Sequence, residues 1–179
     1  DRKSKKFLGV HYETDAPGTY LLDEKHKQLQ KKIDELFPGK VNNISVSSQG
    51  QADTVMVHSH SDVDPGSYSL YNTTSGKVTP LGQNRPWIKP EQMAFQDFVK
   101  FKARDGLEIP TYLTLPKGQS KNLPMVVMVH GGPNVRGEHW GWNRETQFLA
   151  SRGYAVMQME FRGSTGYGSA YRRRLNGTW

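Results

Sequence analysis

The residues of this chain best placed for chemistry stand in two glycine-rich turns. His130-Gly131-Gly132-Pro133 ends the apolar run Met125, Val126, Val127, Met128, Val129, and Gly163-Ser164-Thr165-Gly166-Tyr167-Gly168 follows the apolar run that opens at Tyr154. A glycine turn after a buried strand either offers backbone N–H groups to a developing oxyanion or simply leads the strand into a loop. Other chemistries are weaker. With no cysteine in 179 residues, thiolate catalysis, disulfides and cysteine-based zinc sites are excluded. His58, His60, Asp62 and Asp64 have the composition of a metal site. However, histidines two apart share a face only while a strand continues, and both aspartates fall in the turn after it. No metal or organic cofactor is expected.

Certain elements must position the two turns. Five apolar residues without alternation, Met125–Val129, suit a strand buried on both faces of a parallel sheet. Thr146, Phe148, Leu149 and Ala150 belong to a helix that Gly153 ends in a left-handed cap, and the run from Tyr154 to Met159 is the next strand. Strand, helix and strand with short joints form the right-handed crossover of a parallel sheet. Sites in such sheets sit at the carboxyl ends of the strands, where both glycine turns fall. Upstream, 97–102 alternates, Arg104-Asp105-Gly106 turns and 107–115 returns. This hairpin is the expected antiparallel edge of a sheet whose centre holds 124–129 and 154–161. A further helix is expected to start within 167–175.

The first half reads differently. Residues 7–12 and 19–22 are short strands on either side of Asp15-Ala16-Pro17-Gly18. Asp23 can cap a helix whose Leu29, Ile33, Leu36 and Phe37 recur at helical spacing, with Pro38-Gly39 ending it. The opposite face is rich in Lys and Gln, which sets this helix on a surface. From Val41 the period becomes two. Segments 43–47, 54–58, 68–71 and 77–81, joined by polar turns at 48–51, 62–66 and 72–76, form an antiparallel meander. The stretch SYSLYNTTSGKVTPLG resembles the outer strands of a β-propeller blade. One blade cannot bury its own faces, so further blades are expected upstream. Two prolines and no periodicity mark 83–96 as a linker.

Charge adds exclusions. The chain has 24 Lys+Arg against 17 Asp+Glu, a formal +7, scattered in short groups such as Lys25–Lys32 and Arg172–Arg174. A nucleic-acid partner would need these gathered on one face with reading residues between them, so none is expected. No apolar stretch approaches the roughly 20 residues of a membrane span, so no membrane partner is expected either. The opening DRKSKKFLGV lacks the pattern of a secretory leader. Compartment and oligomeric state stay open.

RDGLEIPTYLTLP, LPMVVMVHGGP, FLASRGYAV and FRGSTGYG, in that order, resemble the prolyl oligopeptidase family of serine peptidases, most nearly its bacterial dipeptidyl- and acylaminoacyl-peptidase-like members. The resemblance covers most of the chain and is strongest over 98–170. It implies a β-propeller end over 1–82, a linker over 83–96 and the N-terminal part of an α/β-hydrolase peptidase domain over 97–179. It also implies a peptide substrate. By resemblance, Tyr167 donates a hydrogen bond to the oxyanion, and His130, Gly131, Gly132 and Pro133 shape the site, with His130 structural and not the base. Arg162 is expected to tie the second turn down. Trp140 and Trp142 are candidates for a substrate-side wall or for buried packing.

The departure from the family pattern is large. No serine stands in a G-x-S-x-G frame, and the catalytic Asp and His that follow such a serine are missing with it. Ser164 and Ser169 are not substitutes. The chain therefore reads as a fragment of a longer peptidase, itself inactive. Two alternatives stand beside this reading: an α/β-hydrolase esterase or lipase using the HGG loop, and a non-catalytic binding or scaffold protein of the same fold.

Overall fold

The computed structural model describes residues 6–46, 53–132 and 134–177. The turn expected at 48–51, Pro133 and the final Thr178-Trp179 lie outside the described residues. Strands β1 (Gly9–Glu13) and β2 (Pro17–Leu21) form an antiparallel hairpin. Asp23 then caps α1 (Glu24–Leu36), its carboxylate accepting from the His26 N–H at 3.2 Å. One face of α1 buries Ile33 completely against Val55, Val57 and Tyr71, with Leu29 and Phe37 at the margin. Leu36, grouped with them by spacing, is 47% exposed and lies off that contact.

The meander is present. Strands β3 (Val41–Val46), β4 (Thr54–His60), β5 (Ser67–Asn72) and β6 (Val78–Gln83) pair antiparallel in sequence order. Alternation puts Val55, Val57 and Ser59 on the buried face. Beyond a short 3-10 turn at Pro90–Gln92, a second sheet holds β7 (Gln96–Lys102), β8 (Glu108–Thr114), β9 (Met125–Val129) and β10 (Ala155–Met159) in the order β7-β8-β10-β9. β9 and β10 are parallel and β8 runs antiparallel to β10. Between β9 and β10 lies α2 (Arg144–Ser151), capped by Asn143 and stopped at Gly153, whose φ is +89°. α3 (Ser169–Arg173) follows the second glycine turn.

Three expectations are corrected. β9 is not central but at the sheet's edge, and Met125, Val127 and Val129 are 54, 48 and 64% exposed, so it is not buried on both faces. Helix α2 packs on β10 and β8, leaving the other face of β9 bare among the described residues. The joint from β9 to α2 is also not short. Its described residues, 130–132 and 134–143, are irregular and include the HGG turn.

A polar seam joins the two sheets. Asp62, considered above for a metal, instead accepts from the Gln96 N–H at 2.8 Å, and its carbonyl accepts from Gln147 Nε2 at 3.2 Å. The Trp142 N–H donates to the Ser61 carbonyl at 3.0 Å. His58 stacks between His60 and Tyr68 at ring distances of 5.0 and 4.5 Å, and His60 lies 6.4 Å from the Trp140 ring. Burial pushes both imidazoles below their ordinary value of 6.5, with His58 adding to the effect on His60 and Asp64 opposing it on both. As pH falls below about 6.5 the unfolded chain takes up these protons before the folded one, so stability is full above that value and declines below it. The urea midpoint is expected to drop between pH 7.5 and 5.5, and less so in a His58→Gln/His60→Gln variant. Equal slopes would remove the seam histidines as the cause.

Candidate active site

Parallel pairing of Met159 with Val129 sets the carboxyl ends of β10 and β9 side by side, which brings the two glycine turns together. The Thr165 N–H donates to the Val135 carbonyl at 3.2 Å, tying one turn to the loop behind the other. Gly131 and Gly132 are exposed, and among the described residues no acceptor takes either N–H. Gly132 has a φ of +144°, and a Cβ there would lie 2.6 Å from Val135 Cγ2. Only glycine fits that position without strain.

His130 is caged. Its side chain is 6% exposed and its ring stacks on Phe161 at 4.3 Å. Nδ1–H donates to the Gly131 carbonyl at 2.7 Å, while Nε2 stands 3.1 Å from Ser164 Oγ and 3.3 Å from Glu160 Oε2. Serine, histidine and glutamate thus meet, but not as a catalytic triad. A triad needs its carboxylate on the ring nitrogen opposite the serine, whereas here both share Nε2. Ser164 is also fully buried, closed to substrate.

Tyr167 lies half-buried in the second turn, but its hydroxyl is sealed and has no hydrogen-bond partner among the described residues. Burial pushes this phenol well above its usual range, with the Arg136 guanidinium opposing. Tyr167 and Tyr171 also line a cavity of about 540 Å³ with Lys100, Asp105 and Pro110. The Tyr171 hydroxyl donates to the Glu160 carbonyl at 2.6 Å, and burial pushes its phenol up to about 12. Arg162 pairs with Asp105 at 2.8 Å, tying the second turn to the β7–β8 turn. Trp140 and Trp142 sit half-buried by the seam, Trp142 beneath the Arg85 guanidinium at 4.8 Å.

Sequence reasoning missed four residues here. Arg136 donates to the Glu13 carbonyl (2.8 Å), the Thr14 carbonyl (2.7 Å) and the Tyr112 hydroxyl (2.9 Å), and lies 5.1 Å over the Tyr167 ring. The Glu13 carboxylate accepts from the Trp140 N–H at 3.1 Å and from His139 Nδ1 at 2.7 Å. Glu160 and Gly137 complete the loop's support. One signal was readable: a glutamate ending an apolar strand, as Glu160 does, is rarely buried without partners.

Comparison with known proteins identifies the family. Residues 140–179 match the model of the prolyl oligopeptidase family. Dipeptidyl aminopeptidase BIII of Pseudoxanthomonas mexicana is 33% identical over 158 residues, covering 83% of this chain and 22% of that protein. Dipeptidyl peptidase family member 6 of Caenorhabditis elegans is 29% identical, over 98% of this chain and 26% of its own length. Among solved structures, puromycin hydrolase superposes with a TM-score of 0.57 at 28% identity, over 78% of this chain and 22% of that one. A puromycin-hydrolyzing peptidase of Mycobacterium tuberculosis shares the fold with a TM-score of 0.63 at 23% identity, over 93% of this chain and 26% of that one. The chain thus spans about a quarter of the length of the relatives it matches. From the HGG loop to the second glycine turn, it belongs to the prolyl oligopeptidase family.

Proposed function

We propose that the intact protein is a serine-type peptidase that hydrolyses short peptides through an acyl-enzyme, and that this chain supplies its oxyanion loop. In this reading 1–82 is the end of a β-propeller, 83–96 the linker and 97–179 the first half of the α/β-hydrolase domain. One observation carries it: the exposed, unclaimed N–H groups of Gly131 and Gly132 on a loop braced by buried side chains at the carboxyl end of β9. When a nucleophile attacks a peptide carbonyl, negative charge gathers on oxygen, and fixed donors lower that barrier without reorganising. The nucleophile, acid and base belong to other parts of the intact protein. This segment alone turns over no substrate.

Oxyanion donation falls to the two glycine N–H groups, because the Tyr167 hydroxyl is sealed. Tyr167 supports the second turn from beneath. Tyr167→Phe in the intact protein is expected to alter kcat/KM by less than about threefold, whereas a loss on the order of 10²–10³ would restore the direct donor role. The function itself is tested by intact mass after treatment with a fluorophosphonate. One covalent adduct together with turnover of peptide amides is expected. A folded protein that takes no adduct overturns the proposal in favour of a non-catalytic scaffold, and turnover of esters alone would make it an esterase.

A further inference from the structure

We propose that Glu160 is a positioning residue that clamps the HGG loop at both of its ends, an inference that rests on the oxyanion reading of that loop. Glu160 directly follows β10 and is completely buried. Its Oε1 accepts from the N–H groups of Gly137 at 3.0 Å and Glu138 at 2.6 Å. Its Oε2 lies 3.3 Å from His130 Nε2, an ion-pair distance without hydrogen-bond alignment, and has no hydrogen-bond donor among the described residues. A carboxylate held this far from water costs stability unless it is put to use.

The use lies in how the loop closes. Gly137 packs so tightly beneath the His130 ring that an added Cβ would stand 2.0 Å from His130 Cγ. Residues 130 and 137 therefore meet, and Glu160 touches both, bonding the Gly137 N–H and facing His130 Nε2 at 3.3 Å. Glu138, the charged neighbour, is turned aside, its own carboxylate taking the Gln158 amide at 2.6 Å. His130 passes the grip on, because its Nδ1–H binds the Gly131 carbonyl at 2.7 Å. That carbonyl and the Gly132 N–H belong to one planar trans peptide and point in opposite directions. Fixing the His130 ring thus aims the Gly132 N–H. Glu160 sets the aim without touching substrate.

Glu160→Gln keeps the side-chain shape and an oxygen for the two N–H groups, and replaces the charged carboxylate oxygen facing His130 with a neutral amide NH2. In the intact protein, kcat on a peptide amide is expected to fall about 10- to 100-fold with KM within about threefold, since a misplaced donor is felt mainly in the transition state. Amide exchange at Gly137 and Glu138, whose N–H groups Glu160 holds, is expected to speed up while that of β8 and β10 stays unchanged. Unchanged kcat in a labelled, active protein overturns this inference alone, as does faster exchange throughout the fold, which would mark general destabilisation. Wild-type protein without a fluorophosphonate adduct overturns the oxyanion reading and this inference with it.

Discussion

Gly137→Ala is expected to reduce kcat of the intact protein by about 10²–10³-fold, comparable to deleting an oxyanion donor outright. The added methyl would stand 2.0 Å from His130 Cγ and 2.3 Å from both Cβ and Nδ1. A flexible side chain could swing aside at little cost, but this ring cannot. Phe161 stacks on one face, Ser164 and Glu160 meet Nε2, and 6% of the side chain reaches solvent. The displacement must pass to the backbone of the loop, beginning with the Gly131 carbonyl that the ring holds. Steady-state kinetics on a peptide amide, paired with the fluorophosphonate labelling rate, measures this. Kinetics within about threefold of wild type would mean that the loop absorbs the methyl and that its geometry is not critical.

The second large effect is on stability. Arg136→Met is expected to lower the opening free energy of the β1–β2 hairpin by about 2–4 kcal/mol, because charge-assisted bonds are lost and one buried acceptor, the Tyr112 hydroxyl, is orphaned. The arginine side chain is 11% exposed and reaches Glu13, Thr14 and Tyr112 at once. Tyr112 is completely buried, so its hydroxyl has no water to turn to when the guanidinium goes. Hydrogen exchange at the amides of β1 and β2 reads the change directly. Exchange unaltered there would leave Glu13, through His139 and Trp140, as the real fastening.

Local patterns in the sequence carry local structure, and much of this fold is local. The Asp23 cap, the helix it opens, the period-two strands and the turn glycines were all legible. So was the chemical interest of the HGG turn, since glycines between an apolar strand and a polar loop declare themselves. Burial of β9 was not legible, because an apolar run without alternation does not say which of its faces a neighbour covers. The supports of the loop were hidden for a different reason. Arg136 and Glu13 stand 123 positions apart, and Glu160 reaches back 22 and 23 positions to the amides it holds. Such partners are chosen by the crossover of β9 and β10 and by the docking of a distant hairpin, neither of which leaves a mark on nearby residues. Tyr167 illustrates the limit from the other side. Nothing beside it in the sequence announces that Arg136 lies over its ring and that its hydroxyl is buried.

β9 has a practical meaning for anyone handling this chain. Among the described residues it pairs on one side only, with β10, and no other strand covers its second edge, which lies beside the bare side chains of Met125, Val127 and Val129. An apolar strand with a free edge is a template for a second copy of itself, and edge-to-edge association followed by aggregation is its ordinary fate in concentrated solution. A lysine facing outward at position 127, or a strand supplied in trans, is the remedy that the edge itself suggests.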